Sequence, residues 1–264
     1  MPFPEIQARL AFISGAGSGL GKELAKELAK RSIPLLLTSK DPQKLNLVAK
    51  ELQGMTTVTT QAADLSIPQD LESLLERVRA DGPDLIINNA GMGLYGKVLS
   101  FPLEKQMEIL KINIEALVQI SIESARTLQK RHESGTIMNV SSTAGLFTYP
   151  SFALYAASKR FAYEFSLSFD EELSSQGIRV LSCLLGRFTS DFRYNASLHK
   201  SAASASSWDT MSLAHTAKLI LRQIEKQKGY QIIDWRYQIL TYLSKLAPRK
   251  WIAKTLQKDI ERMG

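Results

Sequence analysis

The chain has 264 residues, 44% hydrophobic and 22% charged, enough for one large α/β domain or two small ones with a real core. Its ordinary composition excludes a disordered or collagen-like protein, and its single cysteine, Cys183, excludes an internal disulfide and a cysteine-based zinc or iron–sulfur centre. The net charge of +7 is unevenly placed: residues 1–217 hold 22 basic and 22 acidic side chains, and residues 218–264 hold the other 11 basic and 4 acidic. The question of an anionic partner therefore concerns the C-terminal end alone.

Met1-Pro2-Phe3-Pro4-Glu5 lacks the basic start and apolar run of a signal peptide. No apolar stretch is long enough to cross a bilayer as a helix, so a cytoplasmic protein is expected. In chain order, short apolar runs predict strands at Leu10–Ser14, Ile33–Thr38, Thr56–Ala62, Asp84–Asn88, Thr136–Ser141, Val180–Leu185 and Gln231–Ile233. Several are near-continuous apolar runs, as expected for parallel strands covered on both faces. Helical patterns lie between them, clearest at Gly21–Arg31, Gln69–Ala80, Leu103–Lys130, Phe152–Ser174 and Leu213–Gln227. The alternation predicts a doubly wound α/β sheet of about seven parallel strands. Such sheets bind ligands beyond the carboxyl ends of their strands, so the chemistry is expected just after strands.

The motifs follow that rule. The first strand runs into Ser14-Gly-Ala-Gly-Ser-Gly-Leu-Gly21 and then a helix. There Gly15 allows a sharp turn, Gly19 lets backbone approach a pyrophosphate, and Gly21 lets the helix pack tightly on the sheet. The N–H groups at the helix start face the phosphates. The second strand ends in Thr38-Ser39-Lys40, a hydroxyl and a cation where an NAD site carries an acid. That pair suits a 2′-phosphate and favours NADP(H) over NAD(H). Asp64 follows the third strand and Asn88-Asn89-Ala90-Gly91 the fourth. In Tyr155-Ala-Ala-Ser-Lys159 the phenol and the ammonium share one helix face. An ammonium at that spacing is expected to lower the tyrosine pKa toward the range of a general acid/base. His132, His199 and His215 are scattered without metal-ligand spacing, so no metal is expected.

The ordered set resembles the short-chain dehydrogenase/reductase superfamily, in its single-domain NAD(P)-dependent branch, from about Leu10 to Ser190. The resemblance implies a Rossmann-type fold and a catalytic tetrad of Asn113, Ser142, Tyr155 and Lys159. Ser142 is preferred to Ser141 because it stands thirteen residues before Tyr155. Asp64 takes the place of the acid that meets the adenine. Cofactor contacts are implied at Ser14, Gly15, Ser18, Gly19, Leu20, Gly21, Ser39, Lys40, Asp64, Leu65, Asn89, Ala90, Gly91, Tyr155, Lys159, Gly186, Phe188 and Ser190. One departure is Leu185, which stands where the family commonly has proline before Gly186. The resemblance further implies carbonyl–alcohol interconversion, with Ser142 orienting the substrate oxygen and Tyr155 exchanging its proton. Lys159 would hold the cofactor ribose, and Asn113 would anchor a water feeding protons to Lys159. A catalytically silent NADP-binding scaffold and a non-redox use of the fold are the other readings; the complete tetrad weighs against the first.

The catalytic domain is expected over residues 1–234, with a substrate lid at about 187–212 whose Ser/Ala-rich stretch 201–207 reads as a mobile loop. Residues 235–264 read as a basic amphipathic extension of two helices. Trp235, Ile239, Tyr242, Leu243 and Leu246 form one stripe. After Pro248, an apolar line of Ile252, Leu256, Ile260 and Met263 runs beside a basic line of Lys250, Lys254 and Lys258. This extension either lies on an anionic membrane surface or packs on the body or a second subunit. The expected partners are a small carbonyl or alcohol, lipophilic if the tail meets membrane, and further copies of the chain as a dimer or tetramer. Nucleic acid is not expected.

Overall fold

A computed structural model describes residues 6–186, 211–244 and 248–261, apart from the side chains of residues 249 and 258–261. Seven strands form one sheet: β1 (Ala11–Ser14), β2 (Leu35–Ser39), β3 (Val58–Ala62), β4 (Leu85–Asn88), β5 (Gly135–Ser142), β6 (Ile178–Leu185) and β7 (Tyr230–Ile232). Their order is β3-β2-β1-β4-β5-β6-β7 and every pairing is parallel. Strand order reverses between β1 and β4, which opens a crevice at their carboxyl ends.

Alternation along each strand divides the core into two layers. Ala11, Ile13, Leu35, Leu37, Ile87, Met138 and Cys183 face one side. They pack there against α1 (Gly19–Ala29), α2 (Pro42–Leu52) and α7 (Leu213–Glu225). Phe12, Leu36, Ile86, Ile137 and Val180 face the other, against α3 (Pro68–Asp81), α5 (Leu117–Arg131) and the end of α6 (Ala153–Leu173). Leu35, Leu36 and Leu37 are each no more than 1% exposed; each such side chain stabilises the fold by roughly 1.5–3 kcal/mol. This two-sided burial explains why β2 opens on three consecutive leucines.

Two elements depart from the expected pattern. Helix α2 was not among the expected helices, although Asp41 caps it by accepting from the N–H groups of Gln43 and Lys44, with Pro42 at the first helical position. The single helix expected over Leu103–Lys130 is α4 (Leu103–Leu110), a π-helical segment at Lys111–Ala116, and then α5. Such segments are rare and cluster at functional sites; this one carries Asn113.

The extension forms α8 (Trp235–Ser244) and α9 (Arg249–Glu261). It is moored by Asp234, 2% exposed, which accepts from the guanidinium Nε of Arg236 at 2.9 Å and Nη2 at 2.6 Å. Gln238 Nε2 donates to the Ile232 carbonyl at 2.8 Å, tying α8 to β7. Most of the expected lid, together with Leu246 and Met263, lies outside the described residues.

Candidate active site

A cavity of about 900 Å³ lies along the carboxyl edge of the sheet. At one end is the glycine-rich turn. Gly15 and Gly19 have left-handed φ values of 68° and 55°. A Cβ on Gly19 would meet nothing within 4 Å, so this backbone faces open cavity. The Ser18 side chain does not cap α1, and no acidic residue occupies its first turn. The start of α1 thus has no side-chain acceptor from Ser18, and Ser18, Gly19 and Leu20 line the cavity, a setting for a phosphate. Gly21 serves packing instead. A Cβ there would come within 2.3 Å of the Gly15 carbonyl oxygen, so its absence lets α1 lie close to the turn.

Ser14 lies behind this surface. Its hydroxyl, 1% exposed, accepts from the N–H groups of Asn89 and Ala90, both at 3.0 Å. Asn89 Nδ2 returns a bond to the Ser14 carbonyl at 3.0 Å. The loop after β4 is thus tied to the loop after β1 across the reversal point. One residue earlier, Asn88 Nδ2 donates to Asn139 Oδ1 at 2.8 Å and Ser121 Oγ at 3.0 Å, joining β4 to β5 and α5.

Farther along, Ser39, Lys40 and Lys44 line the rim beyond β2, with Asp64 and Leu65 beyond β3. Burial pushes the Asp64 carboxyl up, but hydrogen bonds from the Ser66 hydroxyl and N–H outweigh it. With added attraction from Lys40 and Lys105, the carboxyl stays below the usual range. This end offers hydroxyl and ammonium groups at a wide mouth and one fixed carboxylate deeper in.

The other end is built by β5 and α6. Ser142 closes β5; its hydroxyl accepts from Ala144 N–H at 3.1 Å, donates to the Leu185 carbonyl at 3.3 Å and shares a hydrogen bond with Tyr155. Ser141 points elsewhere, donating to the Lys159 carbonyl at 2.6 Å. Lys159, 4% exposed, donates from Nζ to the Val140 carbonyl at 2.8 Å and sits 5.8 Å from the Tyr155 ring centroid. Leu185, in the place of the family's proline, pairs with Ser142 across the sheet, and its carbonyl also accepts from Thr143 Oγ1 at 3.1 Å. The strand edge is thereby held by two hydroxyls.

Burial dominates the electrostatics of this end. It pushes the Tyr155 hydroxyl up to about 12; the Ser142 bond offsets this in part, and neighbouring Tyr149 adds to it. Burial also pushes the Lys159 ammonium down to about 8, with the nearby Cys183 opposing, and the Cys183 thiol up to about 12. The tyrosine depression expected from the helical spacing is not what this geometry gives. The ammonium is spent on the Val140 carbonyl, and desolvation of both groups outweighs their attraction.

Asn113, fully buried, does not line the cavity. Its Oδ1 accepts from Met92 N–H at 2.8 Å, while its Nδ2 donates to the Met92 carbonyl at 2.8 Å and to Ser158 Oγ at 2.9 Å. It clamps the loop after β4 to the α6 turn that carries Lys159. Of the other expected residues, Ser14 and Gly21 stand behind the lining, Phe188 and Ser190 lie outside the described residues, and the rest line the cavity.

Among the lining residues that were not expected, two groups bear on the substrate. Tyr95 stacks on Phe152 at 3.9 Å and Phe152 on Tyr155 at 4.2 Å, an aromatic row leading to the phenol. Their spacing in sequence carries no such signal. The extension supplies the second group, with Tyr237, Leu240 and Leu256 on the cavity wall. A Cβ on Gly186 would meet the Tyr237 ring at 2.5 Å, so glycine lets α8 close over the end of β6. Among the described residues there is no metal-ligand cluster and no helix long and apolar enough to cross a membrane.

The family model for short chain dehydrogenases matches residues 9–201. An uncharacterised oxidoreductase of Staphylococcus epidermidis is 25% identical over 180 residues, 67% of this chain and 77% of that protein. Human 17-beta-hydroxysteroid dehydrogenase type 3 is 32% identical over 175 residues, 64% of this chain and 56% of that one. A short-chain dehydrogenase from Sphingobium yanoikuyae, solved in complex with NADPH, superposes with a TM-score of 0.80 at 25% identity, covering 89% of this chain and 93% of the other.

Proposed function

The chain belongs to the short-chain dehydrogenase family and is an oxidoreductase of CH–OH and C=O groups, and we propose that it interconverts a lipophilic ketone or aldehyde and its alcohol with NADP(H), using Tyr155 as general acid/base. The observation that carries this reading is the Ser142–Tyr155 hydrogen bond at the wall of a cavity whose other end is a phosphate-ready helix start. The open space over Gly19 and the uncapped start of α1 fit a dinucleotide pyrophosphate.

The nicotinamide dinucleotide, when bound, supplies or accepts the hydride. The chain's own residues do the rest. Gly15 and Gly19 let backbone N–H groups meet the pyrophosphate, and Ser39 and Lys40 hold the 2′-phosphate with Lys44 beside them. Asp64 takes the adenine end. Ser142 donates to the substrate oxygen and holds it against Tyr155, whose hydroxyl gives its proton to that oxygen in reduction and takes one in oxidation. Lys159 orients the cofactor ribose and restores the proton. Asn113 is a positioning residue that fixes the Met92 loop and Ser158. Residues 1–234 carry this machinery, and residues 235–264 add a wall. The aromatic row together with Leu240 and Leu256 favours an apolar substrate body. A silent scaffold would have no use for a serine hydroxyl held on a phenol at the cavity wall.

Oxidation of NADPH over a panel of carbonyl compounds, run beside Tyr155→Phe, tests the reading. Turnover is expected in the parent and a fall of about a thousandfold or more in the variant, with NADPH binding retained. Turnover surviving in Tyr155→Phe would remove the central assignment. Lys40→Ala is expected to weaken NADPH about tenfold, on the scale of one charge-assisted contact, and to leave NADH unaffected.

A further inference from the structure

The extension has two unlike faces. On α8, Tyr237 and Leu240 turn to the cavity. Trp235, Ile239, Tyr242 and Leu243 follow one another at helical spacing on the opposite side and are 66%, 51%, 70% and 54% exposed. On α9, Ile252 is half-buried and Leu256 lines the cavity, so these two side chains face the body instead of solvent. Trp251, 73% exposed, faces outward between exposed Lys250 and Lys254.

We propose that the outer face of α8 and α9 docks on an anionic lipid bilayer, and that a lipophilic substrate passes from the bilayer beneath the inner face of the same helices. The docking half stands alone; the delivery half rests on the proposed function.

Charge selects this occupant. From Trp235 to Glu261 there are six basic residues, Arg236, Lys245, Arg249, Lys250, Lys254 and Lys258, against two acids, Asp259 and Glu261, both in the last turn of α9. Arg236 is committed to Asp234. Residues 218–264 carry the whole net charge of +7. A second copy of the same face would bring like charges together, whereas anionic headgroups would neutralise them. Trp235, Tyr242 and Trp251 join an apolar body to a polar edge, the chemistry favoured at the headgroup level. Leucine and isoleucine among them supply the apolar area that holds an interfacial helix. Leu256 lines the cavity, and Leu240 lines it too while staying 45% exposed beside the outer face, so the path from lipid to Tyr155 runs past Leu240 at the cavity edge.

Sedimentation of the full chain with vesicles tests the docking. Binding is expected with phosphatidylcholine–phosphatidylserine vesicles and not with phosphatidylcholine alone. Lys250→Glu with Lys254→Glu should weaken binding about twenty-five-fold or more, from about fivefold for each basic residue lost near the surface. Leu243→Ser with Trp251→Ser should abolish it at unchanged charge. All four changes lie outside the catalytic set, so NADPH oxidation on a small soluble ketone should be unaffected. Absence of vesicle binding, or equal binding to neutral vesicles, would overturn the proposal. So would a dimer in solution that Leu243→Ser and Trp251→Ser dissociate, which would assign the face to a second copy. Delivery is read from turnover of a bilayer-dissolved ketone, which should fall with the lysine changes while turnover of the same ketone in detergent does not; equal losses would overturn that half. Vesicle binding without turnover of any carbonyl would instead refute the proposed function and leave docking in place.

Discussion

At the scale of single residues, Tyr155 and Lys159 pull the pH dependence of the protein in opposite directions. Lys159 titrates near 8 in the folded chain, against an ordinary value of 10.5, because burial penalises its charge. Between those values the unfolded chain binds more protons, so stability rises with pH across that window. Tyr155 titrates near 12 against 10.0; there the folded chain binds more protons, and stability falls as pH climbs from 10 toward 12. Denaturant unfolding of the parent and Lys159→Met isolates the lysine. The parent should gain up to about 3 kcal/mol on the variant between pH 8 and 10.5. A parallel pair of curves would mean that the ammonium is not desolvated. The phenol can be followed directly by ultraviolet difference titration against Tyr155→Phe. In the protein without cofactor its ionisation should begin only well above pH 10, whereas a depressed phenol would ionise below pH 9.

At the scale of elements, the turn before α1 and the π segment before α5 show how backbone serves the site. Gly19→Ala places a methyl in open space at a left-handed φ of 55°. The fold should lose only about 1 kcal/mol, while NADPH affinity should fall more steeply because the methyl occupies the phosphate approach. Gly21→Ala drives a Cβ to 2.3 Å from the Gly15 carbonyl oxygen and should instead damage the fold itself. Thermal unfolding beside cofactor titration separates the two. Asn113→Ala takes away the side-chain partner of the part-buried Met92 N–H and carbonyl and one bond of the Ser158 hydroxyl, which still donates to the Tyr155 carbonyl at 2.8 Å; the loss should cost about 2–4 kcal/mol. These contrasts also explain what was legible in the sequence. The glycine turn, the apolar strands and the Tyr155–Lys159 pair are local patterns whose spacing is their structure. The π segment was not legible because the partners of its Asn113, Met92 and Ser158, each lie more than twenty positions away. The pKa directions were not legible because desolvation depends on every surrounding layer, not on a helical repeat.

At the scale of the molecule, the parallel sheet leaves a crevice at its carboxyl edge, and the extension roofs the part nearest Tyr155. Periodicity alone revealed two stripes on the extension, but which stripe turned inward depended on the surface beneath it. Tyr237 against Gly186 at the end of β6 brings Leu240 and Leu256 to the cavity wall, Leu240 at its solvent edge, and this gives the extension a bearing on substrate choice as well as on location. If those leucines grip the apolar body of the substrate, removing them should act on substrates that reach them and spare those that do not. Leu240→Ser with Leu256→Ser should raise KM for a bulky lipophilic ketone by about tenfold or more, the loss of roughly 1.5 kcal/mol of apolar contact. KM for a small ketone, and NADPH affinity, should change little, because Ser142, Tyr155 and the start of α1 belong to the body. Steady-state kinetics on the two ketones at saturating NADPH makes the comparison. A uniform fall in kcat on both would mean that the roof acts by holding the catalytic groups, and a selective rise in KM that it acts by holding the substrate.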